Sequence, residues 1–272
     1  MTSTYQFLDC GNRKKIEKFG EYTLVRPCPQ AIWKPFSPDL WNKFDSEFVR
    51  VGSEKGTWQG TKLPQAWDIS TDNGLKWTIE PNEFGNIGIF TEHWTYTEDL
   101  FKFFDKQEPV LNLFSYSGSN MIALLKEGYT STAVDSSKSA MESYSKNLAN
   151  NDISRDGQRL ILEDAIKFVA RETRRNKQYG NIIVDAPSFG RGSKGEVFDI
   201  DQQLVDLFVH LEKLLKPDGK LVLTLHSPRF TIEGLKIFLG QIFKNKTIKP
   251  KEILNPTASG IGLPSGIIIF IS

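Results

Sequence analysis

The stretch VDAPSFGRGSKGEVF, residues 184–198, continues the apolar run Asn181-Ile182-Ile183-Val184 and carries groups suited to a planar, polar substrate. The Asp185 carboxylate and the carbonyls beside it can accept protons from a substrate nitrogen. Pro187 stiffens the chain behind it. The Phe189 ring can stack on a flat acceptor, and Arg191 and Lys194 can hold phosphates. A plain glycine-rich surface loop is the alternative. Such a loop has no need of an acid-x-Pro start at the end of a buried strand.

Three other segments offer complementary chemistry. NLFSYSGSN, residues 112–120, is a small, hydroxyl-rich turn. Gly118 there would let a ligand approach the backbone and leave N–H groups free at a helix start. A tight strand-to-helix turn explains the stretch equally well. Asp135 could accept hydrogen bonds from both hydroxyls of a ribose, or cap a helix beside Ser136. The glycine turn upstream favours the ribose. Asp164 could accept from an adenine amine while the Ala165 N–H donates to a ring nitrogen, or it could cap the next helix. In chain order these segments outline a nucleoside site, with residues 184–198 over its reactive end. The single glycine of the first turn disfavours a nicotinamide-dependent reductase.

These groups need elements to hold them. Residues 110–114, 130–134, 159–162, 181–184 and 221–226 read as apolar strands. They alternate with helical patterns over 120–127, 136–150, 165–175, 200–215 and 232–243, and the β-branched run 266–271 reads as one more buried strand. Alternation of this kind predicts an α/β fold, a parallel sheet covered on both faces that binds ligands at the carboxyl ends of its strands. Residues 1–95 follow another rhythm. They hold all six tryptophans and strand-like runs at 22–26, 75–80 and 86–90, parted by turn signals. The expectation is a β-rich α+β domain over 1–95, most of its tryptophans in its core, and an α/β domain over 96–272.

The bulk properties narrow the class. A formal charge of +1 over 272 residues gives no overall field for nucleic acid or membrane, although a local basic patch remains open. The run Arg171, Arg174, Arg175, Lys177 could be such a patch, or it could complement the dipole of the helix it ends. Two cysteines, Cys10 and Cys28, exclude a disulfide scaffold and most cysteine-rich metal sites, and no metal is expected. No signal-peptide core and no apolar run of membrane-spanning length occurs, so a cytoplasmic protein is expected.

In order and spacing, VLNLFSYSG, AVDSSKSA, EDAIKFVARETRR, IIVDAPSFGRGSKGEVF and KLVLTLHSP resemble the class I S-adenosylmethionine-dependent methyltransferases of the large-subunit ribosomal RNA group, in a bacterial branch without their N-terminal PUA domain. LDCGNRKKIEKFGEYTLVRPCPQAIW and GNIGIFTEHW carry the likeness into the N-terminal half. The resemblance implies a Rossmann-like domain with a mostly parallel seven-stranded sheet, S-adenosylmethionine as cofactor, and ribosomal RNA as partner. It implies that Phe90, Glu92, His93, Ser115, Tyr116, Gly118, Asp135, Ser136, Asp164, Ala165 and Asp185 surround the cofactor. Asp185, Pro187 and Phe189 would then serve catalysis, and Phe189, Arg191 and Lys194 would hold substrate. Two departures stand out. The group's Asp-Pro-Pro is here Asp185-Ala186-Pro187, which loosens the loop. Its Glu-Gln is Glu92-His93, and histidine still donates.

Relatives that methylate C5 of cytosine carry a cysteine after the fifth strand, because that carbon reacts only once a thiolate has added to C6. Here the position reads Thr224-Leu225-His226-Ser227. A nitrogen acceptor, with oxygen as the alternative, is therefore expected. His226 could act as a base, or could simply be a packed residue. A methyltransferase of small molecules or proteins, favoured by the near-neutral charge, and a cofactor binder without catalysis are the alternatives.

Overall fold

The computed structural model describes residues 5–52, 55–187, 189–191, 197–227 and 229–272, without the side chains of 189–191, 197–198 and 200–202. Contacts divide the chain into one unit of residues 1–91 with 254–264 and another of residues 92–253 with 265–272.

In the first unit, β1 (Tyr5–Gly11), β2 (Lys14–Phe19), β3 (Tyr22–Pro27), β4 (Ser46–Arg50) and β5 (Gly56–Gly60) form a five-stranded sheet in chain order. Only β3 and β4 pair in parallel. β6 (Trp67–Ser70) and β7 (Lys76–Ile79) make a separate antiparallel pair. Residues 86–90, expected as a strand, are not one. Gly85 and Gly88 there adopt φ of +81° and +86°, and such left-handed steps break a pleated run. The buried Asp9 carboxylate ties distant segments together, accepting from Ser37 N, Trp41 Nε1 and Ser259 Oγ. Trp77 is fully buried, and the indole N–H groups of Trp33, Trp58 and Trp67 reach backbone carbonyls.

The second unit alternates as its sequence pattern predicts. After α1 (Thr97–Phe103) come β8 (Val110–Leu113), α2 (Ile122–Lys126), β9 (Ser131–Asp135), α3 (Lys138–Asn150), β10 (Gln158–Leu162), α4 (Ala165–Arg174) and β11 (Tyr179–Ala186). The hairpin strands β12 (Phe189–Arg191) and β13 (Val197–Asp199) follow, then α5 (Ile200–Leu214), β14 (Leu215–Leu225), α6 (Ile232–Ile242), β15 (Ile248–Pro256) and β16 (Gly262–Ile271). The seven-stranded sheet has the order β10-β9-β8-β11-β14-β16-β15. Its first five strands run parallel, and β16 pairs antiparallel to β14. The chain leaves β8 toward one side and returns through β11 on the other, so the switch point lies between these two strands, where sheets of this kind bind ligands.

Strand alternation decides which side chains face that point. Val184, Ala186, Leu223 and Leu225 join the apolar cluster under α4, α5 and α6. Asp185 and Thr224, paired in register on β11 and β14, point to the opposite face. Pro217, Asp218 and Gly219 lie inside β14, which begins at Leu215.

Candidate active site

Asp185 is the hub of the site. Its Oδ2 lies 3.0 Å from His93 Nε2. Its Oδ1 lies 3.1 Å from His226 Nε2 and accepts a hydrogen bond from the Thr224 hydroxyl. Thr224 is its register partner, and His226, two residues on, faces the same side. His93 comes from the 3-10 turn Thr91–Tyr96, which also places Tyr96 with its ring centroid 5.8 Å from that of His93. Burial alone would raise the Asp185 carboxyl. The two imidazoles overcome that and hold it well below the ordinary carboxylate range. Burial would likewise lower His226, but the hydrogen bond and charge of Asp185, with the Glu92 charge, lift it to about 9. The Tyr96 phenol is pushed well above its ordinary value by burial and by the Asp185 and Glu92 carboxylates, so it stays protonated.

The carboxylate therefore meets a hydroxyl and two imidazoles, where the sequence suggested a carboxylate that, with its neighbouring carbonyls, awaits a substrate nitrogen. The partnership with His93 was not foreseen. The Thr224-x-His226 spacing was the available signal, since it sets a hydroxyl and an imidazole on one face of the strand beside β11. One ligand atom from each of His93, Asp185 and His226 lies within 4.8 Å of the others, a spacing that a metal ion could also use.

The turn after β8 departs from its expected form. Phe114 and Tyr116 adopt φ of +56° and +45°, and Gly118 +81°, a cluster of strained residues of the kind found at functional sites. The N–H groups of Ser115 and Gly118 bond to Val134 O and Ser115 O, and that of Tyr116 to Asp135 Oδ2 at 2.9 Å. These three are engaged rather than free. Glycine at 118 answers a second need, since a Cβ there would stand 2.9 Å from the Tyr144 ring. Asp135, half-buried at the end of β9, also accepts from Ser137 N at 2.8 Å. Burial raises its carboxyl, against the lowering pull of the Ser137, Tyr116 and Ser136 amides. Each carboxylate oxygen accepts more than one hydrogen bond, so a ribose can still be held. The Ser136 amide also favours the Asp135 carboxylate, and Ser115 is buried with Oγ 4.0 Å from Met141 Sδ.

Asp164 caps α4, accepting from Lys167 N at 2.9 Å, with Ala165 buried at the first helical position. Arg171 pairs with Glu163, and Arg175 with Glu172 at 3.1 Å, so two cations of the basic run have acidic partners. Glu92 and Pro187 are partly exposed, and Phe90 falls in the first unit. Phe189 and Arg191 form β12, paired with β13. Their side chains, and Lys194 altogether, lie outside the described residues.

No protein-family model matches the chain. The crystal structure of the SAM-dependent methyltransferase from Agrobacterium tumefaciens superimposes with a TM-score of 0.88 at 28% identity, covering 99% of this chain and 90% of that one. The structure of SMU.776 complexed with SAH gives a TM-score of 0.79 at 18% identity, over 99% of this chain and 75% of that one, a likeness of fold alone. The chain belongs to the class I S-adenosylmethionine-dependent methyltransferases. By sequence it is 31% identical, over 186 residues, to the ribosomal RNA large subunit methyltransferase K/L of Shewanella sp. (strain ANA-3), which is 66% of this chain and 26% of the relative. It is 32% identical to the protein of the same name from Shewanella oneidensis, over 66% of this chain and 25% of that relative. The chain thus spans about a quarter of the length of these relatives.

Proposed function

We propose that the protein transfers the methyl group of S-adenosylmethionine to a nitrogen of an RNA base, and that the RNA is ribosomal. One observation carries the choice of nitrogen. The Asp185 carboxylate stands at the end of β11, beside the switch point, and both cysteines of the chain lie in the other unit, buried. The names of the relatives favour ribosomal RNA.

The cofactor supplies a methyl group already activated on a cationic sulfur, so the chain's task is alignment and exclusion of water. Asp135, with Ser136, is assigned the ribose. Asp164 and the Ala165 N–H take the adenine, and the Ser115–Gly118 turn the methionine end with Glu92 and His93. Asp185 orients the acceptor from within its network of donors, and Pro187 fixes the chain that follows. Phe189 stacks on the base while Arg191 and Lys194 hold its phosphates. The first unit takes part in holding substrate, and a cytoplasmic location goes with this reading. The formal charge of +1 favours the competing acceptor, a small molecule or protein.

Incubation with methyl-tritiated S-adenosylmethionine and a lysate of cells lacking the protein separates these readings. Label in the ribosomal RNA fraction is the expected result. Label confined to protein or small molecules overturns the RNA assignment.

A further inference from the structure

His226 stands between two acceptors. Its Nδ1 lies 2.7 Å from the Ser265 carbonyl oxygen, and its Nε2 lies 3.1 Å from Asp185 Oδ1. A carbonyl oxygen has no proton to give, so Nδ1 must carry one. The Asp185 carboxylate already accepts from Thr224 and faces His93. Ionised, it too can only accept, so Nε2 carries a proton as well.

The seat for this ring is built into the neighbouring strand. Gly266 on β16 has φ of +141°, and a Cβ there would come within 2.5 Å of Leu225 O and 2.9 Å of His226 Nδ1. Glycine lets β16 press its backbone against the imidazole and turn the Ser265 carbonyl onto Nδ1. The groups facing the ring from the packed elements are Asp185 of β11 and, from the 3-10 turn, Glu92 and His93. The two carboxylates favour a cation, and His93, its ring centroid 6.0 Å away, shares Asp185 with it.

We propose that His226 is a positioning residue, an imidazolium protonated on both ring nitrogens, which fixes the Asp185 carboxylate and takes up no proton during methyl transfer. In the nitrogen acceptor's reaction the new N–CH3 bond forms as the S–CH3 bond breaks, and the electron pair of that bond stays on sulfur. Any proton that the methylated nitrogen then sheds goes to water. The placing of Asp185 beside the acceptor rests on the function proposed above. The protonation of His226 does not.

The experiment is a ring-nitrogen NMR titration of the intact, isotopically labelled protein from pH 6 to 10, with His226→Gln to identify the signals. Both His226 ring nitrogens should be protonated through pH 8. Gly266→Ala, which replaces none of the partners of Asp185 but crowds the His226 ring, should move that titration toward lower pH by disturbing the seat. In the transfer assay, His226→Gln should lower kcat about tenfold while the S-adenosylmethionine Kd stays within about twofold, the split of an interaction felt in the transition state. A ring that is neutral at pH 7 overturns the proposal. So does a kcat that rises with pH along a limb abolished by His226→Gln, the mark of a general base. Uptake of added zinc with loss of the Nε2 proton overturns it as well. A failed RNA assay with a doubly protonated ring would refute the substrate and leave the imidazolium standing.

Discussion

At the scale of single residues, the site is a charge pair with its surroundings tuned to keep it ionised. The His226 value of about 9 lies above the ordinary 6.5, so the stability it contributes is complete below pH 6.5 and is lost as pH rises through 9. Asp185 is depressed, so its contribution is lost only in acid, well below the ordinary carboxylate range. The unfolding free energy from urea titrations should therefore fall between pH 6.5 and 9.5, by a few kcal/mol at most, with the midpoint falling alongside, and His226→Gln should flatten that slope. An unchanged midpoint in the parent protein would contradict the pairing. Asp135→Ala should weaken S-adenosylmethionine binding by about 1–3 kcal/mol, the scale of a lost charge-assisted hydrogen bond. Calorimetry showing equal affinity would remove it from the ribose. Asp185 was legible in the sequence because an acid and a proline close an apolar strand. Its partners were not, since only sheet order brings β14 beside β11, and His93 sits on a turn without a period.

At the scale of elements, the turn after β8 and the cap of α4 carry the tests. Gly118→Ala adds a Cβ 2.9 Å from the Tyr144 ring at a φ of +81°. It should cost on the order of 2 kcal/mol or more in chemical denaturation. A neutral effect would mean that the turn relaxes freely. Asp164→Ala should cost about 1 kcal/mol through the lost cap. A weaker S-adenosylmethionine Kd in the same variant, beyond what that fold loss explains, would support the adenine contact, while an unchanged Kd leaves Asp164 as a cap alone. The parallel strands were readable because each is a short apolar run between helical patterns. The helix expected over 120–127 begins only at Ile122, because the strained turn uses the residues before it. The antiparallel strands of the first unit were mostly missed. Their charged faces, as in KKIEKF of β2, show no long apolar run.

At the scale of the whole molecule, contacts draw residues 254–264 into the unit of residues 1–91. No local pattern announces such a long-range return, so the boundary at residue 95 was the most that composition could offer. No described helix is long and apolar enough to cross a membrane. The central claim is methyl transfer to a base nitrogen without help from a thiol. The most direct measurement is mass spectrometry of nucleosides from ribosomal RNA of cells lacking the protein, treated with S-adenosylmethionine and either the parent protein or the Cys10→Ala/Cys28→Ala variant. The account predicts one N-methylated nucleoside, formed by both proteins. A C5-methylated pyrimidine, or a product that vanishes when the folded variant replaces the parent, would contradict it.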